Sequence, residues 1–149
     1  MKLRNIFLIF FILSILVIAG CTNSNPNGKK ITVYKSSSCG CCDLYTGYLE
    51  KKGFDVEIIN LPDVSAIKTQ HGVLSNLQSC HTSIIGDYFV EGHIPTEAID
   101  KLLNEKPNIK GIALPGMPSG SPGMPGSKTG EFVIYSVNLD GTSSEFMRL

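Results

Sequence analysis

The stretch Ile31-Thr32-Val33-Tyr34-Lys35-Ser36-Ser37-Ser38-Cys39-Gly40-Cys41-Cys42 decides the fold of this chain. Its first four residues are β-branched or aromatic, which predicts a strand, and the serines after Lys35 predict a loop. A helix is predicted from the cysteines to Lys52, because apolar residues share one face and Gly53 follows as a stop signal. The cysteines are therefore expected at the N-terminus of a helix that follows the first strand.

The next elements continue this alternation of strand and helix. Strands are predicted at residues 54–59, 82–85 and 88–90, and helices are predicted at residues 64–71 and from Pro95 onward. Gly86-Asp87 separates two of these strands and has the composition of a tight hairpin turn. The sequence therefore predicts an α/β domain with the core order β-α-β-α-β-β-α.

A segment rich in glycine, proline and methionine, residues 111–130, follows the last predicted helix. Its prolines and glycines predict a shaped loop without a regular element. Residues 131–138 and 143–146 flank Asp140-Gly141 and predict a closing β-hairpin. The loop and the C-terminal hairpin are thus additions to the core.

The first 21 residues predict a secretory signal. Lys2 and Arg4 precede an almost wholly apolar run, residues 6–19, which is too short to span a membrane. The ending Val17-Ile18-Ala19-Gly20-Cys21 resembles the lipobox of prokaryotic lipoproteins, which implies that Cys21 is lipidated; a short uncleaved anchor is the alternative. The predicted organisation is a signal peptide at residues 1–21, a flexible tether at 22–29 and one domain at 30–149, anchored outside the cytoplasm.

The charge of the chain gives no reason to expect nucleic acid as a partner. Thirteen basic residues balance thirteen acidic ones, and loss of Lys2 and Arg4 with the signal leaves a formal charge near −2. No basic patch is evident. The remaining residues, roughly 120, suffice for one small core.

Cys39, Cys41, Cys42 and Cys80 are the candidate metal ligands. Thiolates are soft ligands that select Cu(I), whereas a hard cation needs converging carboxylates, and Asp43 is the only acid beside the cysteines. A helix N-terminus lowers the pKa of thiols near it, which favours thiolates. The ligand spacing is tight for one tetrahedral ion, and sulfurs that bridge several ions escape that limit. The sequence therefore predicts a small multinuclear Cu(I)–thiolate cluster.

Five further residues are candidate ligands or neighbours of the metal, because imidazole and thioether groups also bind copper: His71, His81, His93, Met117 and Met124. Each has a structural alternative. The histidines can satisfy backbone groups at helix ends or begin a strand, and the methionines can fill irregular gaps in the packing.

Other interpretations of the cysteines stay open. Cys39 and Cys42 can form a disulfide, and Cys41 can be a small buried side chain or can pair with Cys80. A structural zinc domain is disfavoured by the ligand spacing.

The order of elements resembles the thioredoxin fold, whose redox pair is Cys-x-x-Cys at this helix start. This resemblance offers an alternative function, a thiol–disulfide oxidoreductase in which Cys39 attacks and Cys42 resolves. In thioredoxins the segment before the hairpin faces the redox pair and normally carries a cis-proline. Ser79-Cys80-His81 stands there in this chain, which implies that Cys80 faces the other three cysteines.

Several spaced blocks resemble the CopG-type copper-resistance proteins, a family long known as a domain of unknown function or a predicted metal-binding protein. In order they are Tyr34-Lys35-Ser36 with Cys39-Gly40-Cys41-Cys42, His71-Gly72-Val73, Leu77-Gln78-Ser79-Cys80-His81-Thr82, Glu91-Gly92-His93-Ile94-Pro95, and Pro115-Gly116-Met117-Pro118 to Gly120-Ser121-Pro122-Gly123-Met124. The resemblance covers about residues 30–149. It implies a thioredoxin-like core and a periplasmic or surface protein that binds copper.

The expected function is therefore to sequester, buffer or deliver Cu(I) in copper tolerance. A metal-binding protein is favoured over an enzyme, and copper-linked redox activity stays open. The expected partners are copper ions, other extracytoplasmic copper-handling proteins and a membrane reached through the lipid anchor.

Overall fold

The structure, a computed structural model, describes residues 28–149. Its elements are β1 (Lys30–Lys35), α1 (Gly40–Lys51), β2 (Asp55–Asn60), α2 (Ser65–His71), a 3-10 turn (Ser75–Leu77), β3 (Thr82–Ile85), β4 (Tyr88–Glu91), α3 (Thr96–Glu105), β5 (Ile109–Ala113), β6 (Val133–Asn138) and β7 (Ser143–Arg148). The predicted α/β class and the core order β-α-β-α-β-β-α are confirmed. The predicted signal at residues 1–21, with Cys21, and the tether up to residue 27 lie outside the described residues.

The seven strands form one sheet in the order β2-β1-β3-β4-β5-β6-β7. Strands β1 and β2 are parallel, whereas β3 runs antiparallel to β1, with Tyr34 opposite Thr82. The end of β1 and the start of β3 therefore lie at the same end of the sheet. The loop after β1, which carries the first cysteines, and the segment before β3, which carries Cys80, are brought side by side by this register.

Helix α1 begins at the cysteines and is held by its apolar face. Cys42, Tyr45 and Leu49 are buried on α1, at spacings of three and four residues that place them on one side of the helix. Burial of a side chain the size of Leu49 contributes about 1.5–3 kcal/mol. The first turn of α1, which carries Cys41 and Cys42, is thereby fixed to the core.

The core lies on both faces of the sheet. The larger cluster joins residues of α1 and α3, such as Leu49 and Leu102, to Ile31 and Val33 of β1. The smaller cluster contains Val73 and Leu77, which follow α2, with Phe89 of β4 and Ala113 of β5. Because neighbouring strand residues point to opposite faces, β4 supplies Val90 to the first cluster and Phe89 to the second.

The prediction that residues 111–130 are entirely loop was wrong at its start. Gly111 to Ala113 belong to β5, which pairs in parallel with β4 and antiparallel with β6. Glycine weakens a strand in general, but a Cβ on Gly111 would lie 2.5 Å from Cγ of Phe89. The glycine therefore admits the ring of Phe89, and β5 makes the C-terminal hairpin continuous with the sheet.

Both predicted hairpins are confirmed. Strands β3 and β4 pair antiparallel around Gly86-Asp87, and β6 and β7 pair antiparallel around the turn that contains Gly141. Strand β7 extends to Arg148, two residues beyond its predicted end. Among residues 28–149, no helix has the length and apolar character needed to cross a membrane.

Candidate metal centre

Four sulfur atoms meet where α1 begins. Cys39 precedes the first residue of α1, Cys41 and Cys42 lie in its first turn, and Cys80 lies just before β3. The four sulfurs are all within 4.8 Å of one another. The structure thus brings Cys80 to the other three cysteines, as the thioredoxin resemblance implied.

The oxidation state of these sulfurs is mixed. Cys39 and Cys42 are joined by a disulfide, whereas Cys41 and Cys80 are free thiols. Sγ of Cys41 lies 3.4 Å from Sγ of Cys39. The disulfide that the sequence left open is therefore present between Cys39 and Cys42, and all four sulfurs become available as thiolates only after this disulfide is reduced.

Two histidines adjoin Cys80 on its other side. Sγ of Cys80 lies 3.3 Å from Nδ1 of His81 and 3.1 Å from Nε2 of His93. Nδ1 of His93 lies 2.7 Å from the carbonyl oxygen of Pro122. A carbonyl only accepts hydrogen bonds, so Nδ1 of His93 carries the proton and Nε2 presents a lone pair toward the sulfur.

Both imidazoles are enclosed by the core. The side chains of His81 and His93 are fully buried, and the ring of Tyr45 lies 4.7 Å from the first and 5.3 Å from the second, centroid to centroid. Tyr45 is itself fixed by a hydrogen bond from its hydroxyl to the carbonyl of Ile94. Nε2 of His81 is buried without a hydrogen-bond partner, which is uncommon for a buried polar atom.

The pKa values describe a neutral centre in the absence of metal. Burial lowers the pKa of His81 to about 3, with further lowering by the nearby His93 and Lys68. Burial also lowers the pKa of His93, against the opposing effect of its bond to Pro122. Burial, with the charge of Cys41, raises the pKa of Cys80 to about 11. At neutral pH the centre therefore holds two neutral imidazoles and a protonated Cys80.

A buried ion pair supports the segment that carries Cys80. Glu91, at the end of β4, accepts hydrogen bonds from Nζ of Lys68 and from the backbone N–H of Ser79, each at 2.5 Å. Its other oxygen accepts a hydrogen bond of 2.6 Å from the hydroxyl of Thr82. Lys68 and Glu91 are both buried. The carboxylate thus holds the residues on both sides of Cys80–His81.

The segment between β5 and β6, residues 114–132, is the Pro-Gly-Met loop, and it packs against the start of α1. A Cβ on Gly123 would lie 2.7 Å from the backbone N of Tyr45 and 2.9 Å from the carbonyl oxygen of Cys41. Gly123 follows Pro122, whose carbonyl binds His93. Met124 follows directly and is half-buried, whereas Met117 is exposed. The loop therefore contacts the centre through Pro122 and Gly123. The predicted contacts of Met117 and Met124 with a metal stay predictions.

Comparison with known proteins identifies the family. Two solved structures, named "Copper resistance protein copG- Form 1" and "Copper resistance protein copG- Form 2", are each 37% identical to this chain with a TM-score of 0.76. Each alignment covers 82% of this chain and 98% of the other. The chain belongs to the CopG copper-resistance family.

A family described as "Protein of unknown function, DUF411" also matches residues 77–124, which include Cys80, both buried histidines and the loop as far as Met124. No curated protein matches the chain.

One predicted candidate of this CopG-family chain lies elsewhere. His71 is at the end of α2 and lines a groove with Asp87 and Tyr88, at the β3–β4 turn. Because β3 runs antiparallel to β1, that turn is at the end of the sheet opposite the cysteines. The structure brings His81 and His93 to Cys80 but does not bring His71 there.

Sequence reasoning missed the groups that hold the CopG-family centre in place: Tyr45, Lys68, Glu91 and the carbonyl of Pro122. An acid that ends an apolar strand, as Glu91 does in Tyr88-Phe89-Val90-Glu91, was a usable signal, since strand residues facing a core are seldom charged unless paired. Lys68 carried no such signal, because lysine in a short helix is ordinarily solvated.

Proposed function

We propose that this protein binds Cu(I) through Cys39, Cys41, Cys42 and Cys80 and sequesters, buffers or delivers copper in copper tolerance. The observation that supports this proposal is the convergence of four sulfurs within 4.8 Å of one another. The solved relatives are named copper resistance proteins. A cluster in which the sulfurs bridge several Cu(I) ions accommodates ligands as close in sequence as Cys41 and Cys42.

The surroundings of the sulfurs favour a soft ion. Asp43, the acid nearest in sequence, forms an ion pair of 2.8 Å with Nζ of the buried Lys35, so its carboxylate already has a cationic partner. Sulfur ligands and neutral imidazoles suit copper and zinc, whereas Ca²⁺ and Mg²⁺ require converging oxygen atoms. Thiolate formation on metal binding releases protons, which go to solvent.

We further propose that the protein works outside the cytoplasm, held to a prokaryotic membrane by a lipid on Cys21. The support is the lipobox-like ending of the signal. A tether of a few residues rich in Asn, Ser and Pro would then keep the copper-binding domain close to the membrane.

The Cys39–Cys42 disulfide supports a second candidate function, a thiol–disulfide oxidoreductase. In that reaction the thiolate of Cys39 attacks a substrate disulfide, a mixed disulfide forms, and Cys42 displaces the reduced substrate as the Cys39–Cys42 bond closes. The free thiols of Cys41 and Cys80 disfavour this cycle, because additional thiols trap mixed disulfides.

Copper loading of the reduced protein tests the first candidate against the second. The full chain, with Cys21→Ser to remove the fifth thiol, is extracted in mild detergent, reduced and freed of reductant without oxygen. It is then titrated with Cu(I) against a chromophoric Cu(I) chelator, and bound copper and reactive thiols per chain are measured. We expect several copper ions per chain and protection of all four thiols.

The variant Cys80→Ser is expected to lower the copper stoichiometry sharply, whereas His71→Gln, at the other end of the sheet, is expected to leave it unchanged. No retained copper, together with turnover of a disulfide test substrate, would replace the copper proposal with the oxidoreductase. Full stoichiometry in Cys80→Ser would remove Cys80 from the cluster.

A further inference from the structure

We propose that Cys80, His81 and His93 form a second metal site, which takes a divalent ion of borderline softness such as Zn²⁺ while the Cys39–Cys42 disulfide is closed. The three donor atoms lie within 4.8 Å of one another. This proposal rests on the proposed Cu(I) function in one respect: Cys80 is a ligand in both sites.

The donor set is suited to such an ion. One thiolate and two imidazoles are the ligands that Zn²⁺, Co²⁺ and Cu²⁺ accept, and three protein ligands leave a fourth position open. With a metal–sulfur bond of about 2.3 Å and a metal–nitrogen bond of about 2.05 Å, a tetrahedral ion separates sulfur from nitrogen by about 3.6 Å. The observed separations from Sγ of Cys80 are 3.3 and 3.1 Å. Each sulfur–nitrogen separation therefore needs to lengthen by only a few tenths of an ångström for the ion to enter.

His93 is oriented as metal-binding histidines are. Its Nδ1–H donates to the carbonyl of Pro122 at 2.7 Å, which directs the lone pair of Nε2 toward Cys80. Histidines that bind metals almost always donate the other ring N–H to a carbonyl or carboxylate in this way. The Pro122 carbonyl thus fixes both the tautomer and the ring direction before any ion arrives.

The unpartnered ring nitrogen of His81 is a second observation that points to a metal. The His81 side chain is fully buried and its Nε2 has no hydrogen-bond partner. Because Nδ1 is the nitrogen that lies beside Sγ of Cys80, a turn of the ring toward an ion at the sulfur would give Nε2 a partner. The ring of His81 lies 4.9 Å from that of His93 at an interplanar angle of 80°. Both buried imidazoles therefore lie within about 3.3 Å of the one thiol of Cys80.

Closure of the disulfide separates this site from the thiolate cluster. The Cys39–Cys42 bond removes two of the four sulfurs from the cluster, whereas Cys80, His81 and His93 keep their donor atoms. The protein in this state is expected to bind one divalent ion. A thiol reductant opens this bond by exchange: it is oxidised to its own disulfide and leaves Cys39 and Cys42 as thiols, which complete the site for Cu(I).

Cobalt(II) is the probe for this site. The full chain with Cys21→Ser, purified without reductant and shown after unfolding to contain two free thiols, is titrated with CoCl₂. We expect one Co²⁺ per chain, with the visible bands of a tetrahedral ion and a thiolate-to-cobalt charge-transfer band, and we expect Zn²⁺ to abolish both. At one fixed pH, bound Zn²⁺ should lower the rate of Cys80 alkylation below its rate in the metal-free protein and leave the rate of Cys41 alkylation unchanged, as peptide mass spectrometry over a time course would show.

Variants assign the ligands. Cys80→Ser should remove the charge-transfer band, and His81→Gln and His93→Gln should each weaken Co²⁺ binding at least ~10-fold, whereas His71→Gln should change neither. Because a buried histidine variant can fail to fold, the alkylation experiment on the unsubstituted protein tests the site without them. Equal alkylation of Cys80 with and without Zn²⁺, or Co²⁺ bound without a thiolate band, would overturn the proposal.

Failure of this site and failure of the copper function are distinguishable in the same preparations. The divalent ion is tested with the disulfide closed, and Cu(I) is tested after reduction. Loss of Co²⁺ binding with full Cu(I) loading would overturn this proposal alone. Loss of Cu(I) loading with intact Co²⁺ binding would leave this proposal standing and overturn the other.

Discussion

Cys80 is the residue that joins the cysteine cluster to the buried histidines, and its thiol is strongly affected by that position. Burial and the charge of Cys41 raise its pKa to about 11, so folding favours the protonated form. In the metal-free protein we expect alkylation of Cys80 by iodoacetamide to be slow at neutral pH and to accelerate tenfold per pH unit up to about 11.

The measurement is the rate of Cys80 modification against pH, followed by peptide mass spectrometry, with the urea-unfolded chain as control. In the unfolded chain the same increase should level off near the usual cysteine pKa of about 8.5. A rate that levels off at the same pH in folded and unfolded protein would contradict the prediction.

The buried ion pair of Lys68 and Glu91 positions Cys80 and is also expected to contribute strongly to the free energy of unfolding. Removal of one partner leaves the other charge buried and unpaired, so we expect Glu91→Ala to lower the free energy of unfolding by about 3–5 kcal/mol. The backbone N–H of Ser79 would lose its acceptor as well. Urea denaturation followed by circular dichroism measures the change.

The exposed pair of Lys101 and Glu105 provides the matched control, since its N–O distance of 2.5 Å equals that of the buried pair. Exposed ion pairs contribute little, so Glu105→Ala should change the free energy of unfolding by no more than about 1 kcal/mol. Equal effects of the two substitutions would show that the burial of Glu91 does not decide its contribution.

At the scale of elements, the contact between the Pro-Gly-Met loop and α1 depends on Gly123. Gly123 and Gly116 have the same φ of +79°, but a Cβ on Gly116 meets no atom within 4 Å, whereas one on Gly123 would overlap the backbone of Tyr45 and Cys41. Both alanine variants carry the strain of a positive φ, about 1–2 kcal/mol. Gly123→Ala should lose about 1–3 kcal/mol more because of the overlap.

Displacement of the loop should also break the bond from His93 to Pro122. We therefore expect Gly123→Ala, but not Gly116→Ala, to weaken metal binding at the centre. The measurements are urea denaturation and Co²⁺ titration of the two variants. Equal values for both variants would mean that the loop does not need its close contact with α1.

The elements show which features sequence reasoning can reach. Local patterns predicted β1, α1 and both hairpins, because turn residues such as Gly86-Asp87 and the periodicity of α1 act over a few positions. Strand β5 was missed because Gly111 is unfavourable in isolation, and only the ring of Phe89 across the sheet explains it. The Lys68–Glu91 pair was missed for the same reason: its partners are 23 positions apart in the sequence, and no local pattern connects them.

The candidate site, like the fold, was predicted in its local features and missed in those that depend on distant parts of the chain. The four cysteines were identified from their residue type and spacing, and the position of Cys80 followed from the order of elements. The register of β3 against β1 decides which histidines lie near Cys80, and a single sequence does not specify that register. It places His81 and His93 beside Cys80 and His71 at the other end of the sheet. Residue chemistry was therefore readable from the sequence, whereas the choice among similar residues required the fold.

At the scale of the whole molecule, metal binding is expected to stabilise the fold, because the sulfurs come from segments that are distant in the chain. Cys80 lies 38 residues beyond Cys42, and only the folded sheet brings them together. A ligand that binds the folded state alone adds about 4 kcal/mol at a free concentration 1,000 times its dissociation constant. For a domain of this size that corresponds to a rise in Tm on the order of 10 °C.

The reduced chain with Cys21→Ser should therefore melt on the order of 10 °C higher with Cu(I) than without it, as followed by circular dichroism without oxygen. His71→Gln should show the same rise in Tm. Cys80→Ser should show a much smaller rise, because Cys80 is the one proposed sulfur ligand that lies far in sequence from the cysteines of α1. A chain that retains Cu(I) with no rise in Tm would show that copper binds the unfolded chain equally well, through the neighbouring Cys39, Cys41 and Cys42 alone. The fold would then contribute nothing to copper affinity, and convergence of the four sulfurs would lose its functional meaning.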